Sequence, residues 1–167
     1  GINQIPGGRK LLKDAIFSWG LTVEQCELKY EEHCQAASHL QDLYARHGIA
    51  MVQLKGVGFS TYYPIPEHRE GGDIDIYTWS ADEDRLSNHE ANQLADSLMR
   101  EQDIAVDTEH SPKHSNFLFE GVPVENHHTL LNVYNGGIAI PMNNLLMRLL
   151  KPQTVQLCHG QYYVNVP

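Results

Sequence analysis

Asp73 and Asp75, in the stretch EGGDIDIYTW (70–79), stand two residues apart where Ile, Tyr, Thr and Trp favour a strand. Side chains alternate along a strand, so Asp73, Asp75 and Tyr77 share one face and Ile74, Ile76 and Thr78 the other. Carboxylates side by side repel, which leaves two readings: a solvated strand end, or a cation held between them. Mg²⁺ would suit such a place, since it takes hard oxygen ligands, usually one or two carboxylates completed by phosphate and water. A second ion would need a third carboxylate on the same face of a neighbouring strand. Glu125, in GVPVENHHTLL (121–131), is the candidate: Glu125, His127 and Thr129 share a face, while Val122, Val124 and Leu130 point away. Two ions held there could align an attacking oxygen and a leaving phosphate for in-line displacement.

Phosphates need donors. The stretch LKGVGFS (54–60) provides a glycine turn directly after an apolar run and ahead of a helical turn, where backbone N–H groups can face an anion. Lys55 and Arg69 add full positive charge, and Arg can grip phosphate through two parallel hydrogen bonds. The competing reading makes Lys55 solvated and pairs Arg69 with Glu67 or Glu70 in its own loop. His110, His114, His127 and His128 lie close in sequence, yet they lack the spacing of a closed zinc site. His127 and His128 also point to opposite faces of a strand, so zinc is not expected.

These residues must be positioned by a small set of elements. Residues 1–9 read as loose, 10–19 as a short helix, and Thr22 as the N-cap of a longer amphipathic helix through Arg46, closed at His47-Gly48. An apolar strand is expected at 49–54 and a helical turn at 59–63. Pro64, Pro66, Gly71 and Gly72 exclude regular structure between 63 and 72. The DIDI strand follows, then a helix over 88–102 with Ala91, Leu94, Ala95, Leu98 and Met99 facing inward. Strands are expected at 104–108, 115–119 and 122–131, with a turn at Gly121, then a helix at 144–150 and a hairpin pairing 155–158 with 162–166. Helices interleaved with strands predict an α/β (α+β) domain on one mixed sheet.

The chain has 167 residues, 41% hydrophobic and 20% charged, enough for one domain with a real core. A formal net charge of −9 argues against nucleic acid held on a basic surface. No apolar run approaches the ~20 residues of a membrane helix. Gly1-Ile2-Asn3-Gln4 does not lead into a secretory apolar stretch, and Cys26, Cys34 and Cys158 show no CxxC, so a cytoplasmic setting is expected.

The three parts together, a strand ending in LKG, then YYPIPEHREGGDIDIY, then GVPVENHH, resemble the uncharacterised nucleotidyltransferase family of the DNA polymerase β-like superfamily over residues 51–131. The resemblance implies the nucleotidyltransferase fold, a mixed sheet flanked by helices. It implies Mg²⁺, with Mn²⁺ as the alternative, on Asp73, Asp75 and Glu125 as the catalytic carboxylates. It implies transfer of a nucleoside monophosphate from an NTP to an acceptor, a small molecule or a protein. Substrate contacts carry over to Lys55, Gly56, Arg69, Gly72 and His127. Residues 1–48 are expected to form a helical segment packed on a 49–167 sheet domain, which is read as truncated at its C-terminal end. The chain departs from the family pattern at Val57 after the first glycine, at Glu rather than Asp for the third acid, and at Asn126 and His128 around His127. Those departures motivate the alternative, a catalytically degenerate module of the same fold that binds nucleotide or a protein partner.

Overall fold

The amphipathic pattern at the start of the chain forms a single helix, α1 (Gly8–Arg46), in the computed structural model, which describes residues 8–60, 62–82, 85–131, 137–151 and 155–167. Most of the stretch expected to be loose, 1–7, lies outside the described residues, and Gly8 and Arg9 already belong to α1. The expected break before Thr22 is absent. Thr22 Oγ1 donates to the Ser18 carbonyl four residues back at 3.1 Å, a bond made inside a helix rather than at its cap. Gly20 costs about 1 kcal/mol relative to Ala in a helix interior, too little to interrupt so long an element. The helix closes as expected: Gly48 has φ +75°, and the His47 and Gly48 amides bond the carbonyls of Tyr44 and Ala45.

Four strands make a mixed sheet in the order β1-β2-β4-β3. β1 (Ile49–Gln53) runs antiparallel to β2 (Ile74–Ser80), β2 runs parallel to β4 (Val122–His127), and β3 (His114–Phe119) runs antiparallel to β4. The helices α1 and α3 (Asn88–Glu101) cover the face carrying Ile74, Ile76 and Val124. There Ala36, Ala37, Leu40 and Tyr44 of α1 join Ala95, Leu98 and Met99 of α3 in one buried core. α3 starts on a capping box, Ser87 Oγ accepting from the Glu90 amide while the Glu90 carboxylate accepts from the Ser87 amide. The expected C-terminal hairpin is present as β5 (Val155–His159) and β6 (Tyr162–Val166). Val164 and Val166 complete the core, and Asn165 bonds both Gln41 of α1 and the Met51 carbonyl of β1.

Further expectations need correction. Residues 104–108 do not form a strand; they make one isolated bridge, Asp107 to Asn116. The chain leaves α3 through Asp103 at φ +59°, and the Asp107 carboxylate then caps the amides of Glu109 and His110, which turns the backbone away from further pairing. β4 ends at His127 rather than 131, because Asn143 Oδ1 accepts the Leu130 and Leu131 amides at 2.8 and 3.1 Å. The last helix, α4 (Ala139–Leu150), begins well before 144; Pro141 falls in its first turn, where a missing N–H costs nothing. The helical turn after β1 is α2 (Val57–Ser60), and a 3₁₀ turn (Pro66–His68) interrupts the proline loop.

Candidate active site

The sheet face opposite α1 and α3 carries the polar residues that alternation placed there. Parallel pairing of β2 with β4 sets Asp75 beside Glu125 and Tyr77 beside His127. Asp73 enters β2 one pleat earlier, and one carboxylate oxygen from each of Asp73, Asp75 and Glu125 lies within 4.8 Å of the others. Three hard oxygen donors converging on one point fit Mg²⁺ or Mn²⁺. Asp73, Glu125 and Asn116 edge an open groove of about 590 Å³, whose other walls are largely apolar, among them Leu118, Pro123 and Ile104.

Asp75 is buried and doubly held. Lys55 Nζ donates to Asp75 Oδ1 at 2.6 Å, and His127 Nε2 donates to the same oxygen at 2.9 Å. Burial pushes the Asp75 carboxyl up, but the hydrogen bonds from His127 and Lys55 outweigh it and leave it below the ordinary carboxylate range. Lys55 responds in the opposite direction: its hydrogen bond to Asp75 raises it above the ordinary lysine value against a smaller burial cost. Lys55 reaches this position because β1 ends beside Asp75, the Leu54 amide bonding the Asp75 carbonyl at 2.8 Å.

Gly56 turns the chain at φ +65°, where an L side chain is strained. A Cβ there would also stand 2.6 Å from the buried Gln53 amide and 3.6 Å from the Asp73 carbonyl. The turn therefore lies against the strand entrance that carries Asp73. Gly72 has open space where a Cβ would be, and its carbonyl stands 3.3 Å from His33 Nε2 of α1. Arg69 is not brought to the carboxylates; it donates to the Glu70 carbonyl and lines a narrow recess with Tyr30, His33 and Ser60 behind the Gly56 turn.

A protein-family model described as uncharacterised nucleotidyltransferase matches residues 2–165. The chain belongs to this family. The match runs well beyond 51–131, and the mixed sheet flanked by helices is consistent with a nucleotidyltransferase fold. No curated protein and no solved structure gives a significant match. No helix among the described residues of this nucleotidyltransferase-family protein is long and apolar enough to cross a membrane.

The family-level departure at Asn126 has a local cause. Asn126 is fully buried on the helix side of β4, accepting from Thr78 Oγ1 at 3.1 Å and donating to Asp96 Oδ1 at 3.3 Å. Asn92 Nδ2 bonds Thr78 Oγ1 at 2.7 Å, and Ser115 Oγ donates to Asp96 at 2.6 Å, so β2, β3, β4 and α3 are locked by one polar cluster beneath the carboxylates. Sequence reasoning set His114 aside with the other histidines and did not bring it to the carboxylates. Antiparallel pairing sets it opposite His127, with its ring centroid 5.2 Å from that of His127 and its Nε2 facing Glu125.

Proposed function

We propose that this chain transfers a nucleoside monophosphate from an NTP to a small-molecule or protein acceptor, with Asp73, Asp75 and Glu125 holding Mg²⁺, or Mn²⁺ in its place. The observation that carries this reading is the β2–β4 register, which sets Asp75 beside Glu125 with Asp73 within reach at the rim of the groove. When bound, the metal supplies positive charge to the triphosphate and a template for in-line displacement.

The chain's own residues divide the remaining work. His127 and Lys55 fix the rotamer of Asp75 and keep it ionised. Lys55 is more than half exposed, so its ammonium can turn from Asp75 to an incoming phosphate while His127 retains the carboxylate. In this reading the open backbone at Gly72 leaves room for phosphate beside Asp73, and the Gly56 turn holds the chain against that strand entrance. Glu125 is more open than Asp75, its side chain 29% exposed against 1%, and in this reading it holds metal or accepts the acceptor's proton. The acceptor oxygen bonds to the α-phosphorus, the bond to the bridging oxygen breaks, and pyrophosphate leaves. A cytoplasmic setting accords with Cys26 and Cys34 being free thiols.

A second reading, a nucleotide-binding or protein-interaction module without turnover, is favoured by one feature: Lys55 already neutralises Asp75 at 2.6 Å. Incubation with α-labelled NTPs and candidate acceptor pools separates the two. Label transfer that falls at least about 100-fold in Asp75→Asn supports the enzyme, in line with the loss of one charge-stabilising group. Nucleotide binding with no labelled product under any condition supports the module.

A further inference from the structure

The carboxylates are not the only metal-ligating set on this face. His114 Nε2 stands 3.7 Å from Glu125 Oε1, and His127 Nε2 stands 3.4 Å from Glu125 Oε2. Those separations are too long for good hydrogen bonds. They suit neighbouring ligands on one ion: with bonds of about 2.0–2.1 Å, the edge of a tetrahedron is about 3.4 Å. One ligand atom from each of His114, Glu125 and His127 falls within 4.8 Å of the others. All three side chains are partly buried, with access left on the open side.

We propose that His114, Glu125 and His127 form a second, nitrogen-containing metal position, open to a water or substrate ligand and selective for a borderline divalent ion such as Zn²⁺ or Co²⁺ over Mg²⁺. Two imidazoles and one carboxylate favour such ions, whereas Mg²⁺ prefers oxygen and gives up water reluctantly. Three protein ligands leave at least one coordination position free. Unlike a closed zinc site built from sequence neighbours, this set is open and is assembled by the β3–β4 register. Glu125 is common to both sets and places the two positions side by side. The Asp75 bond makes them communicate. His127 Nε2 cannot both donate to Asp75 and ligate an ion, so occupancy of the histidine position leaves Asp75 to Lys55 or to the carboxylate position. The proposal rests on the nucleotidyltransferase reading only through this shared Glu125.

The test is Co²⁺ titration of the chelator-treated full chain in excess Mg²⁺, read by visible d–d absorption, with Zn²⁺ as competitor. Wild type is compared with His114→Ala, His114→Gln, His127→Ala and Asp73→Asn, each checked for its fold by circular dichroism. Expected is a Co²⁺ band in wild type that Zn²⁺ removes. The band should weaken at least about tenfold in apparent affinity in every histidine variant and persist in Asp73→Asn. Absence of the band in wild type would overturn the proposal, as would a band indifferent to both histidines or one lost equally in Asp73→Asn. Asp73→Asn separates the two readings, because it removes a ligand of the carboxylate position alone. Retained Co²⁺ binding with lost Mg²⁺-dependent nucleotide binding supports both positions. Nucleotide binding lost in Asp73→Asn with no cobalt band in wild type leaves only the carboxylate reading standing.

Discussion

Replacing Asn126 with Ala tests whether the polar cluster beneath the carboxylates holds the sheet that presents them. Asn126 Oδ1 accepts from Thr78, Nδ2 donates to the Asp96 carboxylate, and the side chain is fully buried. Truncation removes one neutral bond, about 1 kcal/mol, and one bond to a charged group, about 1.5–3 kcal/mol. The Thr78 hydroxyl already accepts from Asn92 and would be left with no acceptor, a further cost of about 1–3 kcal/mol. These terms overlap within one network, so the expected loss is about 3–5 kcal/mol rather than their full sum. At about 2–4 °C per kcal/mol for a chain of this size, the melting temperature should fall by about 6–20 °C. Urea unfolding followed by far-UV circular dichroism gives the free energy. A double-mutant cycle with Asp96→Asn should return a coupling of about 1 kcal/mol or more. An Asn126→Ala variant within about 0.5 kcal/mol of wild type, or a coupling near zero, would refute the reasoning.

Gly56→Ala forces an L side chain to φ +65° and sets its Cβ 2.6 Å from the Gln53 amide. It should cost at least about 1–2 kcal/mol of stability in urea unfolding and weaken nucleotide binding further than stability alone explains. Ser87→Ala opens the α3 capping box and should cost about 1 kcal/mol by thermal unfolding while leaving nucleotide affinity unchanged. Burial pushes the His128 imidazole below its ordinary 6.5, so unfolding takes up a proton between that lowered value and 6.5. Stability should therefore decline as pH falls through this window and level off above 6.5, and His128→Gln should remove that part of the slope.

The strand that follows Asp73 and carries Asp75 was legible from period-two alternation, and the α3 face from helical spacing, because both signals are local. Glu125 was legible as a same-face residue, but its pairing with Asp75 is a parallel, long-range register that no local pattern encodes. His114 was within reach. Glu120 at φ +50° and Gly121 at φ +83° make a two-residue turn, and counting outward from Phe119 and Val122 pairs Asn116 with Glu125 and His114 with His127. A turn at Gly121 does not by itself supply that count. The buried role of Asn126 was not legible, because its partners, Thr78 and Asp96, come from β2 and α3. The break placed at Gly20 and Thr22 gave local propensity more weight than a continuous helix does. At 104–108, apolar content suggested a strand, whereas Asp103 and Asp107 supplied turn chemistry that prevailed.

The central claim is that Asp73, Asp75 and Glu125 bind metal together with nucleotide. Calorimetric titration of a non-hydrolysable NTP into wild type, with Mg²⁺, with Mn²⁺ and with chelator, tests it directly when repeated on Asp73→Asn/Asp75→Asn. Saturable binding that requires the divalent ion and disappears in the double variant is the expected result. Binding of equal strength in chelator, or undiminished in the double variant, would contradict the assignment of these carboxylates.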